Sequence, residues 1–217
     1  MLVGEVRETA QRIIDKYPNS RSATLPLLFL VQSVEGHVTE QGMREVADML
    51  GLTSAQVLSS GSFYTMLKKR PQGEYLISVC RNISCTHRGA RKVVQAFEDR
   101  LGVSVGETTP DGRCTLETAE CLATCDGAPA VQVNYEDFYD VKPEDVPELV
   151  DRMERGALTS SRGEPVRTHK EISLETATVG LRSPGTAGDH TARTLGGEAL
   201  RTDTSPGTRP PELGGGA

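Results

Sequence analysis

The sequence predicts an α+β protein in three parts. A helical N-terminal domain covers residues 1–70, a mixed α/β domain covers 71–157, and a disordered tail covers 158–217. Three observations carry this. Apolar residues recur at helical spacing through the first sixty positions, with capping residues beside the runs. A short apolar run, Tyr75-Leu76-Ile77-Ser78-Val79, then opens a stretch where strand-like and helix-like patterns alternate. Beyond Ala157 there is no Phe, Tyr or Trp, and half of the last 60 residues are Gly, Pro, Ser or Thr. Such a composition buries too little apolar surface to offset an ordering cost of about 1–2 kcal/mol per residue.

The elements follow in order. Val6, Ala10, Ile13, Ile14 and Tyr17 mark one face of a helix over 2–17, which Pro18 ends. Residues 22–35 form a second, with Ser22 as N-cap. Thr39 opens a third, with Met43, Val46, Ala47 and Leu50 on its apolar face and Gly51 as its stop. Thr53-Ser54-Ala55-Gln56 is a capping box for a fourth. Past the basic turn Lys68-Lys69-Arg70-Pro71, the run at 75–79 reads as a buried strand, and residues 87–101 as a helix ending at Gly102. Val103 to Val105 is expected as a second strand, parallel to the first through that helix. Thr115 to Glu120 and Ala130 to Val133 are two more, and Pro143 opens a last helix that Gly156 stops. The predicted order from Gly73 to Gly156 is β-α-β-β-β-α.

Composition narrows the function. A net charge of −6 argues against a nucleic-acid binder with a broad basic face. The acidity is local: residues 71–157 carry 16 acidic and 9 basic side chains, whereas the flanking parts are near balance. No apolar run approaches the roughly 18 residues of a membrane span. The N-terminus lacks the basic-then-apolar pattern of a secretion signal. The five cysteines are therefore expected in a reducing compartment, where clustered thiols serve metals or redox chemistry rather than disulfides.

Four of those cysteines form two pairs, Cys80-Arg81-Asn82-Ile83-Ser84-Cys85 and Cys121-Leu122-Ala123-Thr124-Cys125, that is C-x4-C, thirty-five residues, then C-x3-C. The spacing leaves several chemistries open. Zinc also takes four thiolates, but C-x4-C is at the loose limit of its usual knuckles. A thioredoxin-type catalytic dithiol needs C-x-x-C, which is absent. A [2Fe–2S] cluster needs two thiolates per iron, and wider loops can wrap it with backbone N–H groups turned to its sulfurs. Structural or unliganded thiols are the bland reading. Cys114, seven residues before Cys121, reads as a small buried hydrophobe. His87 reads as first-turn helix surface, and Glu120 as a solvent-facing or interface residue.

The chain resembles the 24-kDa (E) subunit family of NADH:quinone oxidoreductase, respiratory complex I. The residues that carry the resemblance are Ser62-Phe63-Tyr64-Thr65-Met66, the first cysteine loop with Arg88-Gly89 after it, and Glu120-Cys121-Leu122 through Cys125 with Ala128-Pro129 after it. It covers roughly residues 5–156. The resemblance implies a thioredoxin-like domain behind the helical bundle, with Cys80, Cys85, Cys121 and Cys125 as ligands of one [2Fe–2S] cluster. It implies an electron-transfer role, exchanging single electrons with FMN on a 51-kDa-type partner subunit that binds FMN and NADH. It also implies a cytoplasmic site, peripheral to the membrane as part of a larger complex, and no complete active site on this chain. Related subunits serve NAD-linked hydrogenases and formate dehydrogenases. A zinc-stapled or cluster-free structural subunit and a stand-alone ferredoxin are the other readings. The chain departs from the family at Arg81, at Leu122-Ala123-Thr124 where a Leu-Gly-Ala run is usual, and at Asp126-Gly127. Arg81 is expected to raise the reduction potential and Asp126 to lower it, with Arg81 the larger effect if its side chain folds toward the sulfurs.

Overall fold

The computed structural model describes residues 2–160 and 163–181. The chain begins with four helices, α1 (Glu5–Asp15), α2 (Thr24–Glu35), α3 (Glu40–Leu50) and α4 (Ser54–Phe63). α2 is their centre. Its sequence is apolar on most sides, and it buries Leu27, Leu28, Leu30, Val31 and Gln32, which suits a helix surrounded by others. A 3-10 turn over Ser20–Ala23, capped by the Asn19 side chain on the Arg21 N–H, leads into it. The helix therefore starts two residues later than expected, and Ser22 is not its cap. Thr39 caps α3 through the Gly42 N–H at 2.9 Å. Thr53 and Gln56 form the expected capping box on α4. α3 approaches α2 closely at Gly42, where any Cβ would collide with Val31.

The second half is built on a four-stranded sheet in the order β2-β1-β3-β4, with β1 Tyr75–Cys80, β2 Cys114–Ala119, β3 Val131–Val133 and β4 Glu136–Phe138. β1 is buried along its whole length, as suits a mostly apolar central strand. β2 runs parallel to it and β3 antiparallel. The β3–β4 turn is Asn134-Tyr135, both with positive φ (49° and 67°), which matches the right-handed twist of a hairpin. Asn134 also fastens the turn: its amide accepts from Leu76 N and donates to Glu74 O and Arg167 O. Two helices, α6 (Ala90–Leu101) and α7 (Val146–Glu154), pack over the sheet through Val93, Phe97, Val146, Val150 and Met153.

Three expectations are corrected. Residues 103–105 are not a strand. Their amides are taken by carboxylates, Ser104 N by Glu107 and Val105 N by Glu98. The chain then turns back so that Thr108 bridges Thr115, and β2 at 114–119 takes the parallel place beside β1. The helix expected over 87–101 is two, α5 (Ile83–His87) and α6, separated by Gly89 at φ 103°, a conformation only glycine adopts freely.

The third correction concerns the tail. Residues 158–160 and 163–181 of the segment predicted as disordered are ordered. Leu158 and Val166 join the core of the sheet and its helices, and α8 (His169–Thr178) packs on α2. Its buried positions, His169, Ser173 and Ala177, are polar or small, so apolar periodicity could not reveal it. Thr168 and Glu171 nevertheless form a capping box, a readable start signal. The rest of the predicted tail, 182–217, lies outside the described residues.

α8 and the polar residues around it bind the helices to the sheet. Gln32, fully buried, accepts from Lys68 N at 2.7 Å and donates to Met66 O and Ser173 Oγ. Lys68 pairs with Glu117 on β2 at 2.7 Å, and Ser78 on β1 donates to the same carboxylate. His169 lies beside this pair, with its Nε2 3.4 Å from the Tyr135 hydroxyl.

Candidate metal centre

The two cysteine loops meet because β1 and β2 are parallel. Cys80 is the last residue of β1 and stands opposite Ala119, the last of β2. The first loop leaves one strand and the second leaves its neighbour at the same end. β3 begins there as well, with Val131 opposite Val79. Arg88, just after the first loop, donates from Nε to Ala128 O at 2.6 Å and pairs with Asp140 at 3.3 Å. It thus ties the first loop to the segment that follows the second. Gly127 is needed there: a built Cβ would lie 2.7 Å from Tyr139 Cβ.

All four predicted cysteines come together. The Cys80 thiol is within hydrogen-bonding contact of both Cys85 and Cys121, and Cys125 lies close enough to Cys85 to influence its ionisation. The sulfurs therefore follow one another as Cys121, Cys80, Cys85 and Cys125. Cys80 and Cys85 are buried, whereas Cys121 and Cys125 are exposed. Among the described residues, no three His, Cys, Asp or Glu are placed to hold a single ion.

Backbone donors converge on the same sulfurs. Asn82 N and Leu122 N donate to Cys80, Ala130 N to Cys85 and Ala123 N to Cys121 at 3.3 Å. Ala123 reaches this position at φ 60°. That is the left-handed region, where a side chain costs roughly 1–2 kcal/mol. Burial resists ionisation of Cys80, but the two N–H groups and the neighbouring thiols outweigh it and hold this thiol below its ordinary pKa. Burial, with the adjacent Cys80, raises Cys85 despite the Ala130 N–H. The set fits a thiolate-ligated centre: four sulfurs, inward N–H groups to offset negative charge, and one buried hydroxyl, Thr124 Oγ1, without a protein partner.

The remaining candidates fall away from the sulfurs. Cys114 is buried in β2, and burial pushes its thiol up to about 12, which leaves it an inert packing residue. His87 is exposed at the end of α5. Arg81 is engaged at the rim of the loops. Its guanidinium pairs with Glu120, the residue before Cys121, and both side chains are largely exposed. The pair joins the two loops across their rims and offsets the Arg81 charge. The amides of Leu122 and Ala123, Thr124 and the Arg88 brace show their roles only in the folded loops.

The site can be set beside known proteins. The chain is 45% identical over 165 residues to the E subunit of NADH-quinone oxidoreductase from Mycobacterium tuberculosis H37Rv, a match covering 76% of this chain and 66% of that protein, just under two thirds of its length. It is 38% identical over 128 residues to the E 2 subunit of the same enzyme from Rhizobium meliloti 1021, covering 59% of this chain and 76% of that protein. It is also 36% identical over 144 residues to the HndA subunit of the NADP-reducing hydrogenase of Solidesulfovibrio fructosivorans, covering 66% of this chain and 84% of that protein. The sequence profile of the thioredoxin-like [2Fe–2S] ferredoxins matches residues 10–154, from α1 through α7 and across both cysteine loops, and the chain belongs to that family.

Proposed function

We propose that this chain is the electron-transfer E subunit of an NADH:quinone oxidoreductase, and that Cys80, Cys85, Cys121 and Cys125 hold one [2Fe–2S] cluster. The observation that carries the reading is the meeting of four thiols with four inward backbone N–H groups at one end of the parallel strand pair. When bound, the cluster supplies reversible one-electron exchange.

The chain's own residues provide the setting. Cys80 and Cys85 close the inner side against water, and Cys121 and Cys125 present the outer side to a partner. The N–H groups of Asn82, Leu122, Ala123 and Ala130 offset negative charge without any side chain having to move. Arg88 and the Arg81–Glu120 pair hold the loops in register. The partner in this reading is a 51-kDa-type flavoprotein that carries FMN and NADH. No helix among the described residues is long and apolar enough to cross a membrane. Attachment to a membrane complex would therefore run through partners, leaving this chain peripheral on the cytoplasmic side.

The HndA relative belongs to an NADP-reducing hydrogenase; the higher identity to the mycobacterial E subunit favours the quinone-reducing complex. Anaerobic purification, assay of iron and acid-labile sulfide, and EPR after dithionite reduction test the reading. Two irons and two sulfides per chain, with a signal that appears only on reduction, are expected. Zinc without sulfide overturns it. The flavoprotein that co-purifies identifies the parent complex.

A further inference from the structure

Thr124 stands between Cys121 and Cys125, directly before the 3-10 turn Cys125–Gly127. At that position a threonine hydroxyl commonly accepts a hydrogen bond from a backbone N–H two or three residues on. Here it caps nothing. The turn is closed instead by the Thr124 carbonyl, which accepts from Gly127 N at 3.2 Å. The hydroxyl oxygen is buried and has no hydrogen-bond partner in the protein. A buried hydroxyl left in that state costs about 1–3 kcal/mol, and native structures rarely leave one so. The neighbouring residue Ala123 already donates its N–H to Cys121 Sγ, so the loop is wound with its donors toward sulfur.

We infer that the Thr124 hydroxyl donates a hydrogen bond to a sulfur of the [2Fe–2S] cluster, a further side-chain donor beside the four backbone ones. This rests on the cluster assignment proposed above. The consequence is directional. A donor to sulfur stabilises the more negative, reduced state more than the oxidised one, so the hydroxyl raises the midpoint potential. Thr124 is then a tuning residue, whose loss leaves the ligand set intact.

The test uses the full chain, purified anaerobically as wild type, Thr124→Val, Thr124→Ala and Thr124→Ser. Iron and sulfide are assayed in each, the midpoint is measured by EPR-monitored titration, and exchangeable protons near the reduced cluster are followed by deuterium-exchange ENDOR. The expected result is two irons and two sulfides throughout. Thr124→Val and Thr124→Ala both titrate at a more negative potential than wild type and lose one exchangeable-proton coupling, whereas Thr124→Ser keeps both properties. Two variants without the donor are used because they differ in packing; a shift in only one of them, or in opposite directions, would trace to packing and overturn the inference. An unchanged potential and unchanged couplings in both, with the cluster present, overturn it equally. Wild-type protein without sulfide instead overturns the cluster assignment itself, a distinct outcome read from the same preparation.

Discussion

Lowering the pH should weaken this fold through a single histidine in a window that can be stated in advance. His169, at the start of α8, is 2% exposed. Burial, reinforced by the nearby Lys68 charge and only partly opposed by Glu117, holds its imidazole down to about 4 from an ordinary 6.5. The Tyr135 hydroxyl also faces the ring, and burial keeps it protonated. In the unfolded chain the ring takes a proton near 6.5; in the folded chain it stays neutral until about 4. Between those values the unfolded state binds more protons, so stability is lost as pH falls. At about 1.36 kcal/mol per unit the loss reaches roughly 1.4 kcal/mol by pH 5.5 and about 3 kcal/mol by pH 4. The assay is denaturant unfolding of wild type and His169→Gln at pH 7.5, 6.5 and 5.5. Carboxylates shared by the two proteins cancel in the comparison. The wild-type advantage over the variant should shrink by about 1.4 kcal/mol between pH 7.5 and 5.5. Parallel pH dependences would refute the assignment of a neutral, buried imidazole.

Four other outcomes follow from the same contacts. Gln32→Leu removes three hydrogen bonds that join α2, the 66–68 segment and α8, and should cost about 2–4 kcal/mol in urea unfolding with the m-value unchanged. Gly127→Ala should lower iron content per chain and cost about 1–3 kcal/mol, because its methyl must displace Tyr139; adding Tyr139→Gly, which removes the Cβ as well as the ring, should restore both, and no recovery would place the fault elsewhere. Arg81→Ala should move the midpoint potential negative and Glu120→Gln should move it positive, with the double variant near wild type, since the two charges offset each other. Both shifts should shrink in high salt, as expected for exposed groups. The acidic 71–157 region should make association with a flavoprotein partner weaken as ionic strength rises if that partner presents a basic face; equal affinity at low and high salt would exclude such steering.

What is legible in the sequence follows the chemistry of particular residues. The caps at Thr39 and Thr53 and the stops at Gly51 and Gly102 can be read because they act within one helical turn. So can β1, whose short run rich in β-branched and aromatic residues reads as a buried strand. The cysteine pairs stand out by type and spacing, and the fold brings their thiols together. The misses come from side-chain contacts that no periodicity encodes. Val103-Ser104-Val105 has strand-like composition, but two local carboxylates take its amides first. α8 buries a histidine, a serine and an alanine, so its attachment to α2 depends on Gln32, 141 residues from Ser173 in the chain. The charge of Arg81 is plain in the sequence, but nothing there shows that Glu120 claims it.

The parallel pairing of β1 and β2 also says which changes in chain length the centre can absorb. Both cysteine loops leave the same end of the sheet, and the 102–113 connection enters at the other, where Tyr75 stands opposite Cys114. Residues inserted in that connection would lengthen a distant loop and leave the sulfurs where they are. One residue inserted after Ala119 would instead displace Cys121 from Cys80. The number of residues between the two pairs is therefore elastic, whereas the spacing within each pair and the distance of Cys121 from its strand are rigid. A motif for such centres should count the second kind of interval and ignore the first.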